Sequence, residues 1–155
     1  MKPGSYLASA ALLLAGGTAA AAETVSCPDL ASAVQVMPCP PDEELRYTYT
    51  AYCADNARMY GKSAENCADF AAYRRVKNLA LWEAGEGKFD GYVSCEPPIP
   101  DPKAAKPAQM TVTRKGTVTH VVCNYGEGLR FTYRTKAQCK VAEPCAGSEC
   151  KASCE

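Results

Sequence analysis

Ten cysteines carry most of the chemistry open to this chain. They stand at Cys27, Cys39, Cys53, Cys67, Cys95, Cys123, Cys139, Cys145, Cys150 and Cys154. Thiol redox exchange uses C-x-x-C, in which one thiol resolves the other, and no two cysteines here have that spacing. Zinc favours close cysteine pairs or a histidine partner, and the run Cys145, Cys150, Cys154 is irregular for it. With Cys139 or Cys67 that run would supply four thiolates. Metal handling by the C-terminal cysteines, with a soft ion such as Cu(I), is therefore kept as an alternative. The even count in a chain with an export leader reads instead as a disulfide framework, and all ten are disulfide candidates. No residue is assigned to a metal or a cofactor.

Other chemistry is sparse. The one histidine, His120, lies inside T-V-T-H-V-V-C, a strand-like stretch where a histidine packs or sits at an edge. No Ser or Cys occupies a nucleophile elbow, and no motif places a pair of carboxylates. Gly85-x-Gly87 lacks the rest of a phosphate-binding loop. No catalytic residue is assigned, and the chain reads as a non-enzyme.

The elements that position these residues begin after a leader. Lys2, the apolar run Leu7 to Ala15 and the small residues Ala20-Ala21-Ala22 give residues 1–22 the pattern of a secretory signal peptide. A lipid anchor on Cys27 is the rival reading, and Thr24-Val25-Ser26 is a poor approach to one. No later stretch is long enough to span a bilayer. The expected location is periplasmic or secreted. Without Lys2 the acidic residues outnumber the basic by one, which argues against nucleic acid or an anionic membrane as partner. The partner expected is a protein or small ligand in the periplasm or outside the cell.

Residues 23–142 read as a single disulfide-stapled domain, with a Cys-containing tail over 143–155 that has no periodicity. Part of the domain is written twice. Cys39 to Tyr49 reads C-P-P-D-E-E-L-R-Y-T-Y, and Cys123 to Tyr133 reads C-N-Y-G-E-G-L-R-F-T-Y. A Val-Ser-Cys tripeptide precedes each, ending at Cys27 and Cys95, and a further cysteine follows each, at Cys53 and Cys139. The copies span 25–53 and 93–139, and a recurring unit implies one supersecondary element built twice.

The second copy reads as β. Met110 to Arg114, Thr117 to Tyr125 and Leu129 to Thr135 predict an antiparallel meander, with turns at Lys115-Gly116 and Gly126-Glu127-Gly128. By analogy Leu45 to Cys53 is expected to be a strand, near an edge because of Pro38, Pro40 and Pro41. A helix opening at Asp42-Glu43-Glu44 is the competitor. Residues 54–85 are read as a helical insert, capped by Ser63 and ended by Gly85, or with a strand at its end. Residues 88–95 predict a strand, and 96–108 a Pro-rich extended connector. The fold class is thus α+β: a small disulfide-rich domain with two β-hairpin or meander units related by the repeat, and a central helical segment.

Two hairpins would fix the staples. Cys123 and Cys139 would lie too far apart along one strand to bond, as would Cys39 and Cys53. The expected bridges are Cys27–Cys53 and Cys95–Cys139, with Cys39–Cys123 across a pseudo-twofold axis. On such strands Tyr47 and Tyr49 would share one face, like Phe131 and Tyr133, with Arg46 and Arg130 opposite. Core aromatics with solvated arginines is the plain reading. A recognition patch of Arg46, Arg130, Tyr47, Tyr49, Phe131 and Tyr133 is the sharper one. Glu43 with Glu127, and Arg46 with Arg130, recur without an evident structural need.

Cys123, Gly126, Leu129, Phe131 and Tyr133, in C-x-x-G-x-x-L-x-F-x-Y, resemble the opening strand pair of the small periplasmic lysozyme inhibitors of bacteria. The resemblance implies a compact β-barrel that binds an enzyme and blocks its cleft. It covers about eleven residues. The first copy has Asp42 in place of the Gly, and the Ser-Gly-led inserting segment of such inhibitors has no counterpart, so no inhibitory residue is transferred. The leading expectation is an exported, non-catalytic binding protein. An inhibitor of a lytic enzyme and a metal-handling protein are the alternatives.

Overall fold

The computed structural model describes residues 22–97, 101–142, 145 and 147–155. The expected leader falls outside them except for Ala22. Among the described residues are three α-helices and nine strands, and all ten cysteines are bridged. The protein is therefore a small disulfide-rich α+β domain.

The strands form two antiparallel sheets. The larger has the order β2 (Val34–Gln35), β3 (Leu79–Ala84), β4 (Phe89–Ser94), β7 (Arg130–Thr135), β6 (Val118–Asn124), β5 (Gln109–Lys115). The smaller places β9 (Lys151–Cys154) between β1 (Glu23–Ser26) and β8 (Cys139–Val141). The C-terminal residues, expected to be aperiodic, thus supply a central strand, in which Ala152 and Cys154 are buried and Lys151 and Ser153 exposed. The meander β5–β6–β7 and its two turns are as expected.

Alternation on the large sheet builds the main core. Ala80, Ala84, Phe89, Val93, Val121, Cys123 and Phe131 point to one side and are buried. Against them pack Val25, Leu30, Ala152, Cys150 and Cys154 from the small sheet and its flanking segments. Burying a side chain such as Phe131 or Leu30 contributes roughly 2–3 kcal/mol. The Tyr125 hydroxyl donates to the Pro28 carbonyl at 2.6 Å across this layer, and burial pushes its pKa up.

The repeat does not fold alike in its two copies. The first is a helix, α1 (Asp42–Cys53), and the hairpin expected there is overturned. The flanks decide. Pro41 is extended, and Asp42, Glu43 and Glu44 fill the first turn, where the helix end is positive. Thr48 and Thr50 hydroxyls donate to the carbonyls of Glu44 and Arg46, which accommodates them in a helix. In the second copy Gly126, Glu127 and Gly128 all have positive φ, which closes a hairpin and excludes a helix. Leu45, Tyr49, Tyr52 and Cys53 therefore share a helical stripe, whereas Phe131 follows a period of two. Tyr47 is 76% exposed, and its counterpart Phe131 is fully buried.

The insert is broken into α2 (Asn56–Met59), a 3-10 turn over Ala64–Cys67 and α3 (Phe70–Lys77), before β3 begins. Asp69, rather than Ser63, caps α3, accepting from Ala72 N at 2.7 Å. These helices bury Leu45, Cys53, Cys67 and Tyr73 with Tyr49 and Phe70 in a small second core.

The staples follow this division, and none of the three expected bridges forms. Cys27 leaves β1 toward the inner face of β6, where Cys123 meets it. Cys39, ahead of α1, bonds Cys95 at the end of β4 and anchors the helical unit to the sheet. Cys53, now ending a helix, bonds Cys67 within the unit. Cys139 sits level with Cys154 in the β8–β9 ladder and bonds it, and Cys145 bonds Cys150. The pseudo-twofold axis is absent because its two halves have different secondary structure.

Candidate docking face

The other side of the large sheet defines the site. Register places side chains from neighbouring strands in rows. Val36 follows β2 and its N–H bonds the Leu81 carbonyl; Leu81 pairs Tyr92. One step beyond the β4–β7 ladder, Tyr92 comes level with Arg130, which pairs Asn124. The adjacent row runs Val34, Glu83, Asp90, Thr132, Val122. Val34 is 54%, Val36 44% and Tyr92 57% exposed, and Met37 extends the patch past Val36. Leu79 and Leu81 are half-buried. These large apolar side chains are contiguous across three strands on an open face and are not scattered singly.

The polar groups on this face are unevenly paired. Arg134 donates to Asp90, diagonally across β7 and β4. Among the described residues neither Glu83 nor Arg130 has an ion-pair partner. A shallow groove of about 220 Å³ runs between β4 and β7, with Tyr92, Arg130, Thr132 and Arg134 on its walls. Gly91 lies beneath the groove and faces the core: a Cβ there would stand 2.5 Å from the Arg130 carbonyl oxygen and 3.0 Å from the Phe131 ring. The helical unit borders the face at its Leu79 end. Arg74 there joins Asp42 at 3.0 Å to Glu96 at 2.7 Å, and Asn78 Nδ2 also donates to Glu96. These hydrogen bonds, that of Asn78 first, hold the Glu96 carboxyl below its ordinary pKa.

The sequence-predicted patch is divided by this architecture. Arg130 is exposed on the open face, but Phe131 and Tyr133 point to the opposite side, Phe131 into the core and Tyr133 against Phe89. Arg46, Tyr47 and Tyr49 lie on α1, where Arg46 pairs Asp42 and stacks over Phe70 at 4.3 Å. Tyr49 packs on Phe70 and Tyr73. Arg46 and Arg130 thus belong to separate units. Glu43 serves the first turn of α1, and Glu127 occupies a left-handed turn position, φ 49°. His120 stands half-buried on the open face, level with Arg134 and Thr113.

Tyr92, Val36, Leu81, Glu83 and Arg134 are the residues that sequence reasoning missed. Alternation in Phe89-Asp90-Gly91-Tyr92-Val93-Ser94 was the available signal, since it puts Tyr92 opposite the buried set. A second cleft, of about 510 Å³, lies beside β1 and the Gly85–Lys88 turn. In it Lys88 pairs Glu23 at 3.1 Å, an exposed contact that raises the lysine pKa. Ser26 and Ser32 line it with no histidine beside them. All ten cysteines, being oxidised, present no thiolate, and among the described residues no cluster of His, Cys, Asp or Glu has metal-binding geometry. Searches of family models, curated proteins and solved structures give no match to this chain.

Proposed function

We propose that this is an exported, non-catalytic binding protein that docks a protein partner on the open face of its six-stranded sheet. The carrying observation is the contiguous apolar surface of Val34, Val36, Leu81 and Tyr92 beside Arg130, on a sheet whose other face carries the main core. Tyrosine and arginine next to aliphatic surface are the residue types that dominate binding energy at interfaces. Five disulfides support an oxidising compartment, periplasmic or extracellular, and two of them, Cys27–Cys123 and Cys39–Cys95, tie the large sheet to its surroundings, which lowers the ordering cost of binding. No helix among the described residues is long and apolar enough to cross a membrane.

A photo-crosslinking amino acid at position 92, compared with one at position 60, tests the reading in the native host. Tyr60 is more exposed, at 82%, but lies off the face beyond α2. Protein adducts at 92 and none at 60 are expected. Equal yields, or none at 92, reject the face.

Inhibition of a lytic enzyme is the second reading. It is favoured by the segment from Cys123 to Tyr133 forming the β6–β7 hairpin, as the resemblance implies. Slower lysis by a muramidase at equimolar protein supports it, and unchanged lysis ends it. Metal handling by the C-terminal cysteines would first require reduction of Cys139–Cys154 and Cys145–Cys150.

A further inference from the structure

We infer that the occupant of the open sheet face is a second copy of this chain, in a weak two-fold dimer. The inference rests on the reading of that face as a docking surface. An isologous interface must complement itself, so each unpaired charge needs its opposite on the same face. The part of this face around β4 meets that condition. Asp90 and Arg134 neutralise each other there, which leaves one acid, Glu83, and one cation, Arg130; Lys115, exposed on the same face, lies apart from them at the far end of β5. They flank the apolar pair Leu81 and Tyr92 on either side of β4. From strand spacing and rise, the two charged positions lie roughly 12 Å apart along a diagonal.

A two-fold axis lying in the interface and crossing β4 at the midpoint of that diagonal has definite consequences. It sets Glu83 of each copy over Arg130 of the other, twice by symmetry. It also sets Tyr92 of each copy over Leu81 of the other, which places the apolar contact beside the axis between the two ion pairs; the axis also runs near Arg134, whose charge Asp90 holds. That is the arrangement of an interface core and rim. A heterologous partner would have to supply both an acid for Arg130 and a base for Glu83 at this spacing, and a second copy does so automatically. The face measures roughly 24 Å across six strands and roughly 20 Å along them, about 500 Å² in plane. A standard interface buries about 800 Å² per partner, so the dimer is expected to be weak and reversible.

Sedimentation equilibrium on the oxidised protein, up to about 1 mM, reads the association directly. Glu83→Arg and Arg130→Glu should each weaken it at least about tenfold, because reversal sets like charges opposite each other twice per dimer. The double variant should restore it. Thermal unfolding and thiol titration of each variant show that the fold is intact, and the double variant is a control that a merely misfolded single variant cannot mimic. A monomer throughout the range overturns the inference. So does a dimer unaffected by the single reversals, or one the double reversal fails to recover. If the protein is monomeric but a probe at position 92 still captures a host protein, the second copy is rejected and the docking reading survives.

Discussion

Removing the Cys27–Cys123 bridge is the sharpest test of how this fold is held. The two cysteines are 96 residues apart, and with every other bridge absent the closed loop would be worth roughly 4.7 kcal/mol of chain entropy. Cys39–Cys95 lies inside that loop and shortens the free path to roughly 40 residues, which lowers the value to about 4 kcal/mol. Cys145–Cys150 spans only 5 residues, and the same relation gives about 2 kcal/mol. Each pair includes one fully buried cysteine, Cys123 or Cys150, but Cys27 is also buried where Cys145 is only partly so, and lost packing therefore adds to the loop-length difference in the same direction. The double variants Cys27→Ala/Cys123→Ala and Cys145→Ala/Cys150→Ala should be unfolded in guanidinium. The signal is fluorescence of the sole tryptophan, Trp82, which packs on the core the first bridge crosses. With a slope of about 3 kcal/mol/M, midpoints should fall by about 1.3 M and about 0.7 M. Equal losses, or a larger loss for the short loop, would refute the argument that the 27–123 bridge stabilises by closing the two layers of the sandwich.

Gly91→Ala should cost about 1–3 kcal/mol, since its methyl would meet the Arg130 carbonyl at 2.5 Å, and urea unfolding measures the loss. Glu96→Gln should cost about 1 kcal/mol at neutral pH, the pair being partly exposed. The Glu96 carboxyl has a pKa below its ordinary 4.5 when folded, so its contribution is full above 4.5 and is lost as pH falls through the lower folded value. The difference between wild type and Glu96→Gln should therefore close below pH 4.5, and a difference that persists at pH 2 contradicts the ion pair. Titration of the oxidised protein with a thiol reagent in denaturant should find no free thiol; two or more would reopen the metal reading.

The alternation of β5, β6 and β7 was legible in the sequence because valine, threonine and glycine turns leave little choice of local structure. The helix of the first copy was legible too, in Pro41-Asp42-Glu43-Glu44 and in the spacing of Leu45, Tyr49 and Cys53. Those local signals, and not the likeness to the second copy, decide the fold of the segment. Six matching residues did not carry conformation; the five that differed did. The bridges failed with the hairpin, since a cysteine's partner depends on where its element ends in space.

Ten cysteines in an even set, an α+β alphabet of elements and two glycine-rich turns are properties of the chain itself, fixed by residue chemistry and local sterics. Which cysteine meets which, and which residues stand on the open face, are not. Tyr92 and Arg130 are 38 positions apart, and only the pairing of β4 with β7, in which Gly91 leaves room for the Phe131 ring on the core side, makes them neighbours. Local sequence sets the period of a strand. The burial of one face against a second layer decides which half of that period is left for a partner.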